Sequence, residues 1–541
     1  MSTTENVAAA DPPALTSAPP AHSNGVGPQA AAAASDGLPD PDAHAPRGLE
    51  RLVGVGVAWK LIGQMGVQGI RLVTVAILAR LLLPADYGAA AVAVALASFA
   101  PTVSDMGMGA ALVQTERATR LARSTVFWAS LGFGVALSVL AVALAGPVGR
   151  FLGDPRVGTM VAVGGLTFAV YSLGSTSQAV FTREMKFRSI ELRYWFALVV
   201  ASALAVVAAG VGAGPWALVL QQIALLVTFV AALWWRAGWH PTLEFSGTLF
   251  RQLGSFAIRV AGGRWARLLE LLVLSLLVGK LLSVPALGAW TFAMSTVILP
   301  LTVIAIPIAE VLFSAFSRLR GERERIAALW LESIRFLAAV ILPVLVGLVV
   351  VAPDLIPVVF GSHWHVSVVI VQILSVFVII RSLQSWSSVV MDAVGRPQVT
   401  LWTQLASLCL TPVGVVIGSQ WSVEAVAICF VLSQLIAVEI AILILVLSEL
   451  RVAPTTLVGR LLGVAAATLV MAITCLLGRL AFSALGVSPA GRAGLTIALG
   501  LVVYGSALWW FAPDICRRVL GLGRRVVGKA VDARRRRALQ A

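Results

Sequence analysis

The chain has 541 residues, 59% of them hydrophobic and only 12% charged, with a formal net charge of +15 and a mean hydropathy of +0.93. A soluble domain carries about 25% charged residues, so the composition excludes a water-soluble globule of this size. The positive charge is not a nucleic-acid footprint either, because the excess lies in short loops and in the C-terminal tail.

Residues 1–49 are rich in Ala, Pro, Ser, Gly and Asp without apolar periodicity, which predicts a disordered cytoplasmic tail. They lack the basic n-region and apolar core of a secretory signal. Apolar runs then recur from about residue 54 to 512, each near the roughly 20 residues that cross the hydrocarbon core. They are continuous rather than alternating, which selects helices over a barrel. About fourteen spans are predicted. Their limits are 54–79, 88–110, 126–148, 158–181, 194–212, 215–235, 254–279, 288–313, 332–352, 366–390, 398–418, 423–448, 457–480 and 491–512. Cys409, Cys429 and Cys475 sit in apolar runs and, with Cys516, form no CxxC pair, so no disulfide framework or zinc site is implied. Among the histidines only His363 and His365 are close, around Trp364, and no metal motif results.

Loop charge sets the orientation. With a cytoplasmic N-terminus, the inner loops carry Arg117, Arg120, Arg123, Arg183, Lys186, Arg188, Arg193, Arg236 and Arg251. Further on they carry Arg318, Arg320, Arg323, Arg325, Arg396, Arg451 and Arg460. The outer loops carry only Arg80, Arg150, Arg156, Lys280, Arg479 and Arg492. An even span count also returns the basic C-terminal tail, Arg517 to Arg537, to the cytoplasm, where anionic lipid attracts it. Tryptophans fall near span ends, as at Trp216, Trp234, Trp235, Trp239, Trp364, Trp421, Trp509 and Trp510, which fits interfacial belts.

A weak duplication has an offset of 200: Arg80, Leu81, Leu82, Gly88 and Ala89 align with Lys280, Leu281, Leu282, Gly288 and Ala289. The same offset pairs Arg120 with Arg320 and Arg123 with Arg323. Six spans precede the second copy, so both copies share one orientation, the parallel repeat of many transporters. The expected fold is an all-α integral membrane protein: two parallel-repeat six-helix lobes, 50–245 and 246–450, two further helices in 451–512, and a basic cytoplasmic tail, 513–541.

Ionisable groups at membrane depth are costly and usually face a protein interior or a watery cavity. Lys60, Gln64, Gln68 and Arg71 share one face of the first span. Span seven, its repeat partner, carries Arg259, Arg264, Arg267 and Glu270. Lys60, Arg71, Arg264 and Arg267 are therefore candidates for a cationic substrate cavity, since guanidinium grips phosphate oxygens in a fork. Asp105, Glu270, Glu310 and Arg381 are gating or coupling candidates, with Glu332, Arg335 and Glu439 also at depth. Residues near span ends, such as Lys60, Asp105, Glu310 and Glu332, have snorkelling to the interface as the alternative.

At these residues the chain resembles the Wzx-type polysaccharide flippases of the multidrug/oligosaccharidyl-lipid/polysaccharide exporter superfamily. Arg80-Leu-Leu-Leu-Pro84-Ala-Asp86-Tyr87-Gly88 is similar to the motif after that family's first helix, and Ser104-Asp105-Met-Gly107 to the one closing its second. Phe181-Thr-Arg183-Glu-Met-Lys186-Phe187, Trp239-His-Pro241 with Phe245, and Phe360-Gly361-Ser-His-Trp364 resemble later family segments. The chain departs from the pattern at Leu274, where the family often has an aspartate, and at Phe313-Ser314, where it tends to have Phe-Pro. Glu270 lies one turn before Leu274 on roughly the same face. The resemblance implies a transporter, not an enzyme, in the bacterial inner membrane with both termini cytoplasmic. Its substrate would be an undecaprenyl-diphosphate-linked oligosaccharide, flipped to the periplasmic leaflet for capsule, exopolysaccharide or O-antigen synthesis. Membrane lipids, a polysaccharide polymerase and a chain-length regulator are the implied partners. No cofactor is implied, and coupling to protons, sodium ions or the membrane potential stays open. A small-molecule antiporter of the same superfamily competes with this reading, as does a membrane-embedded polysaccharide polymerase or ligase. Arg71, Arg264 and Arg267 oppose the antiporter. The short loop expected around 353–365, which could hold only His363 and His365, opposes the enzyme.

Overall fold

The computed structural model describes residues 64, 66–115, 118–235, 238–302 and 322–517. It leaves undescribed the side chains at 114, 255–264, 383–385, 392–393, 397, 400 and 437. These residues belong to one compact unit, Gly56–Ala541. Lys60 and Glu310 lie outside the described residues, and so does the side chain of Arg264.

Every regular element among the described residues is helical. The first half runs α1 (66–81), α2 (Pro84–Val103), α3 (Met108–Gln114), α4 (Arg120–Leu152), α5 (Pro155–Gly165), α6 (Thr167–Arg183), α7 (Phe187–Gly210) and α8 (Trp216–Trp234). There follow α9 (Gly247–Leu281), α10 (Val284–Pro300), α11 (Arg323–Phe360), α12 (Ser367–Ala393), α13 (Pro397–Gly418), α14 (Val423–Gln434) and α15 (Ile440–Leu450). The chain ends in the hairpin α16 (Pro454–Ala484) and α17 (Pro489–Phe511). Local chemistry sets many starts. Proline in the first turn costs no hydrogen bond there, and it opens α2, α5, α10, α13, α16 and α17. Thr119, Ser246, Ser283, Ser422 and Ser488 cap their helices by accepting from a backbone N–H. Asp154 caps α5, and the Arg156 guanidinium beside it holds its carboxyl below the usual carboxylate range.

Ten helical stretches among the described residues are long and apolar enough to cross a membrane. They coincide with ten of the fourteen expected spans. The other four expected spans differ for identifiable reasons. Span 54–79 lies largely outside the described residues and 288–313 partly so. Span 254–279 is one continuous helix, α9, but it carries four charged residues. Span 423–448 is divided into two shorter helices by a π turn, Leu435–Glu439. One expectation is corrected: the loop placed around 353–365 is mostly helix, because α11 runs through Pro353 and Pro357 to Phe360. Only a short 3-10 turn, Ser362–Trp364, follows it.

The duplicated motif forms a reciprocal contact. A methyl group on Gly88 would overlap the Val284 carbonyl, and one on Gly288 would overlap the Pro84 carbonyl. Each such methyl would also sit 3.0 or 2.8 Å from the other glycine's backbone nitrogen. The two glycines are therefore level, and α2 and α10 cross there with backbones touching, as small residues permit between membrane helices. The flanking cations reach across in matching fashion. Arg80 donates to the carbonyls of Val358 and Val359 at 2.6 and 2.8 Å, while the Lys280 ammonium lies 5.4 Å from the Phe151 ring centroid. His363 Nε2 lies 2.9 Å from the Ala79 carbonyl oxygen, and the Trp364 indole donates to the same oxygen at 2.8 Å. Trp364 is fully buried, stacked on Phe292 and edge-on to Tyr87. Trp364→Phe keeps the stacking but removes the donor, so thermal unfolding in detergent should show a loss of about 1 kcal/mol.

Charged pairs fix the periphery. Asp354, 3% exposed on α11, receives Arg479 of α16 at 2.5 Å and Arg492 of α17 at 2.6 Å. Toward the other end of that hairpin Arg335 meets Asp514 at 2.9 Å, and the Tyr504 hydroxyl donates to the Ala339 carbonyl at 2.6 Å. The buried Glu449 carboxylate is shared by Arg323 at 3.1 Å and Arg396 at 2.9 Å.

Candidate functional site

Docking of α16 and α17 against α11 leaves a groove of about 630 Å3 that also reaches α1 and α10. Its walls are almost wholly apolar, with Leu72, Leu299, Val344, Leu348, Met471 and Leu501 among them. A second pocket of about 260 Å3 shares Leu72, Thr296, Leu299 and Phe360 with the groove. There the chemistry changes, because Gln68, Arg71, Ser295 and Thr302 join the wall. The groove thus leads from hydrocarbon-like surface to a guanidinium. The Arg71 side chain is exposed, and its Nη2 donates to the Tyr194 hydroxyl at 2.7 Å. This bond anchors the guanidinium without neutralising it.

The other candidates lie elsewhere. Arg267, with an exposed side chain on α9, is in neither wall. Its charge interacts with those of Arg381 and Glu270. Glu270 Oε1 accepts from Ser407 Oγ at 2.5 Å and Gln434 Nε2 at 2.7 Å, with Thr411 Oγ1 at 3.4 Å. These bonds tie α9 to α13 and α14. The Arg381 guanidinium stands 5.6 Å from the Phe377 ring centroid, and its charge bears on Glu439. Glu439 ends the π turn, is 3% exposed, and has no hydrogen-bond partner for either carboxylate oxygen among the described residues. π turns often mark functional positions. Asp105 is engaged by backbone: its carboxylate receives the N–H groups of Gly107 at 2.9 Å and Gly109 at 3.1 Å, closing the break between α2 and α3.

Ser407, Thr411 and Gln434 were not singled out from sequence. The available signal was the four-residue spacing of Ser407 and Thr411, which puts both hydroxyls on one face of an apolar span. Asp354 was missed because Pro353 before it reads as a helix end.

The match to known proteins follows this geometry. Residues 77–369 match the family described as polysaccharide biosynthesis protein. Lipopolysaccharide biosynthesis protein WzxC of Escherichia coli (strain K12) is 24% identical over 394 residues, 70% of this chain and 78% of its own. Teichuronic acid biosynthesis protein TuaB of Bacillus subtilis (strain 168) is 26% identical over 358 residues, 66% of this chain and 74% of its own. Among solved structures, lipid II flippase MurJ in an inward closed conformation superposes with a TM-score of 0.69 at 13% identity, over 84% of this chain and 99% of that one. That likeness speaks to the fold. The family match extends from α1 to the start of α12, more than half of the chain; this protein belongs to the polysaccharide biosynthesis protein family.

Proposed function

We propose that the protein flips an undecaprenyl-diphosphate-linked oligosaccharide repeat unit from the cytoplasmic to the periplasmic leaflet of the bacterial inner membrane. The observation that carries this reading is the groove: an apolar channel wall that runs into the pocket of Arg71. A polyprenyl chain gains about 0.8 kcal/mol for each CH2 it buries, but in a groove open to lipid it gains little over the bilayer. The groove therefore guides the tail rather than gripping it. The guanidinium supplies affinity and discrimination by charge-assisted bonds to the diphosphate. Two six-helix lobes, with both termini cytoplasmic, would alternate access around this head-group site, and the close reciprocal approach of α2 and α10 through the repeated glycines supports such a pairing. Coupling to protons, sodium ions or the membrane potential would drive the step, with the Glu270 cluster and Glu439 as the responding groups. The sugar would then pass to a periplasmic polymerase and its chain-length regulator. The protein moves its substrate and does no covalent chemistry on it.

Depletion of the protein tests the reading. Single repeat units on undecaprenyl diphosphate should accumulate, shielded from enzymes added to the periplasm. Repeats that accumulate but are open to those enzymes would make the protein a polymerase instead. Arg71→Ala should weaken head-group binding about tenfold, the effect of one lost charge-assisted bond, while Arg71→Lys retains part of the activity.

A further inference from the structure

A third cavity lies away from the groove, where the N-terminus of α4 meets the segment after α8. It has a volume of about 440 Å3 and is lined by Ala118, Arg120, Arg123, Gly238, Trp239 and His240. The segment is held in place: Trp128 donates its indole N–H to the Thr242 carbonyl at 2.7 Å, and the Ser124 and Thr242 hydroxyls are 2.8 Å apart. His240 stacks on Trp234 with ring centroids 6.5 Å apart. Among the described residues the lining offers donors and positive charge but no carboxylate. Arg123 Nε donates to the Ala118 carbonyl at 3.2 Å, and no described acid pairs with Arg120 or Arg123. The nearby Glu244 is contacted by Thr242 and is not part of the wall.

The second half shows what such a place holds when it is filled. The offset that relates Gly88 to Gly288 carries Arg123 onto Arg323 at the start of α11. There the Glu449 carboxylate, from the end of α15, pairs with Arg323 and bridges to Arg396. The same offset carries Glu449 onto Leu249, which has no charge to offer. Among the described residues, the first half keeps the arginine and the cavity but places no carboxylate in its wall. The 33-residue helix α4 also turns its positive end toward this cavity.

We infer that this cavity is an anion site for a phosphate group, which takes the place that the Glu449 carboxylate fills in the second half. Two guanidinium groups within one helical turn suit the tetrahedral oxygens of a phosphate better than a single carboxylate. The surroundings fit the phosphate of an anionic lipid head group at the membrane surface. Trp235, Leu243 and Phe245 beside the cavity are 74%, 91% and 52% exposed, as expected of side chains that dip into an interface. Free phosphate shares the chemistry, and the measurement separates the two sources.

The full-length protein is placed in nanodiscs of phosphatidylcholine, with or without phosphatidylglycerol, and its melting temperature is followed. A third series adds inorganic phosphate to the phosphatidylcholine discs at constant ionic strength. A rise with phosphatidylglycerol alone identifies a lipid head group, and a rise with phosphate alone a soluble anion. Arg120→Gln/Arg123→Gln should shift the half-saturating anion concentration up about tenfold. Arg150→Gln, an exposed control elsewhere, should not. Ala118→Glu supplies the missing carboxylate, so it should raise the melting temperature without anion and abolish the anion effect. The inference is overturned if neither anion stabilises the wild-type protein, or if the double variant or Ala118→Glu responds to anion as the wild type does.

Discussion

Gly88→Ala and Gly288→Ala should each destabilise the folded protein by about 2–3 kcal/mol, and the double substitution should cost clearly less than their sum. A methyl at either position meets a backbone carbonyl, not the movable end of a side chain, so the helices themselves must part. Overpacking of this kind costs about 1–3 kcal/mol. Alanine recovers up to about 1 kcal/mol through its better helix propensity, and the lost contact along α2 and α10 works against that gain. The shortfall in the double variant follows from reciprocity. Once one methyl has separated the helices, the second finds the space already made, and neighbouring sites of this sort couple by about 0.5–3 kcal/mol. Thermal unfolding of the four proteins in one detergent closes the cycle. Additive losses would mean that the two glycines do not share one interface. On the proposed function, export should fall with stability, because Arg80, His363 and Trp364 tie α1 to the end of α11 and the turn after it.

The second large effect belongs to Asp354. Asp354→Ala leaves Arg479 and Arg492 about three-quarters buried with no carboxylate between them. Removing one partner from a buried ion pair costs about 3–5 kcal/mol. The partial exposure of both arginines places this case near the lower limit. The loss should be local, since α16 and α17 are held to α11 at this point. Limited proteolysis should therefore cut between α17 and α11 contacts before the remaining helices unfold. Arg479→Met and Arg492→Leu added to Asp354→Ala should restore most of the stability, because apolar replacement of a whole buried ion cluster is often neutral. If the triple variant is as unstable as the single one, the carboxylate has a role beyond neutralising its two partners. Loss of this hairpin also removes one wall of the apolar groove, so on the proposed function Asp354→Ala should also impair export.

The sequence displayed the membrane class because it rests on quantities summed over many residues. Apolar run length and loop charge tolerate errors at any single position. The motif around Gly88 was legible because a backbone-to-backbone crossing demands glycine, and the demand recurs at Gly288. The groove was not legible. It exists only where α16 and α17 dock on α11, and the docking depends on Asp354, which a proline disguised as the end of a helix. The stripe on the first span was partly informative: Gln68 and Arg71 do share a pocket. The expectation that span seven presents its charges to the same place had no support from spacing alone. Spacing fixes the face of a helix but not the neighbour that the face meets. Glu270 instead meets neutral Ser407, Thr411 and Gln434, residues that blend into apolar spans because each can satisfy its own hydroxyl or amide locally.

The π turn at Leu435–Glu439 has a consequence for how the chain reads on either side of it. One wider turn is equivalent to a single extra residue threaded into an otherwise regular helix, and one residue rotates everything beyond it by about 100°. Gln434 before the turn points to Glu270, while Ile442, Val446 and Glu449 after it point to the core beneath α11 and to Arg323. Without the insertion those two sets could not both reach their partners. The helix behaves like a rope with a fixed half-twist: its two ends serve different neighbours, and the twist is absorbed at Glu439, whose carboxylate has no described hydrogen-bond partner.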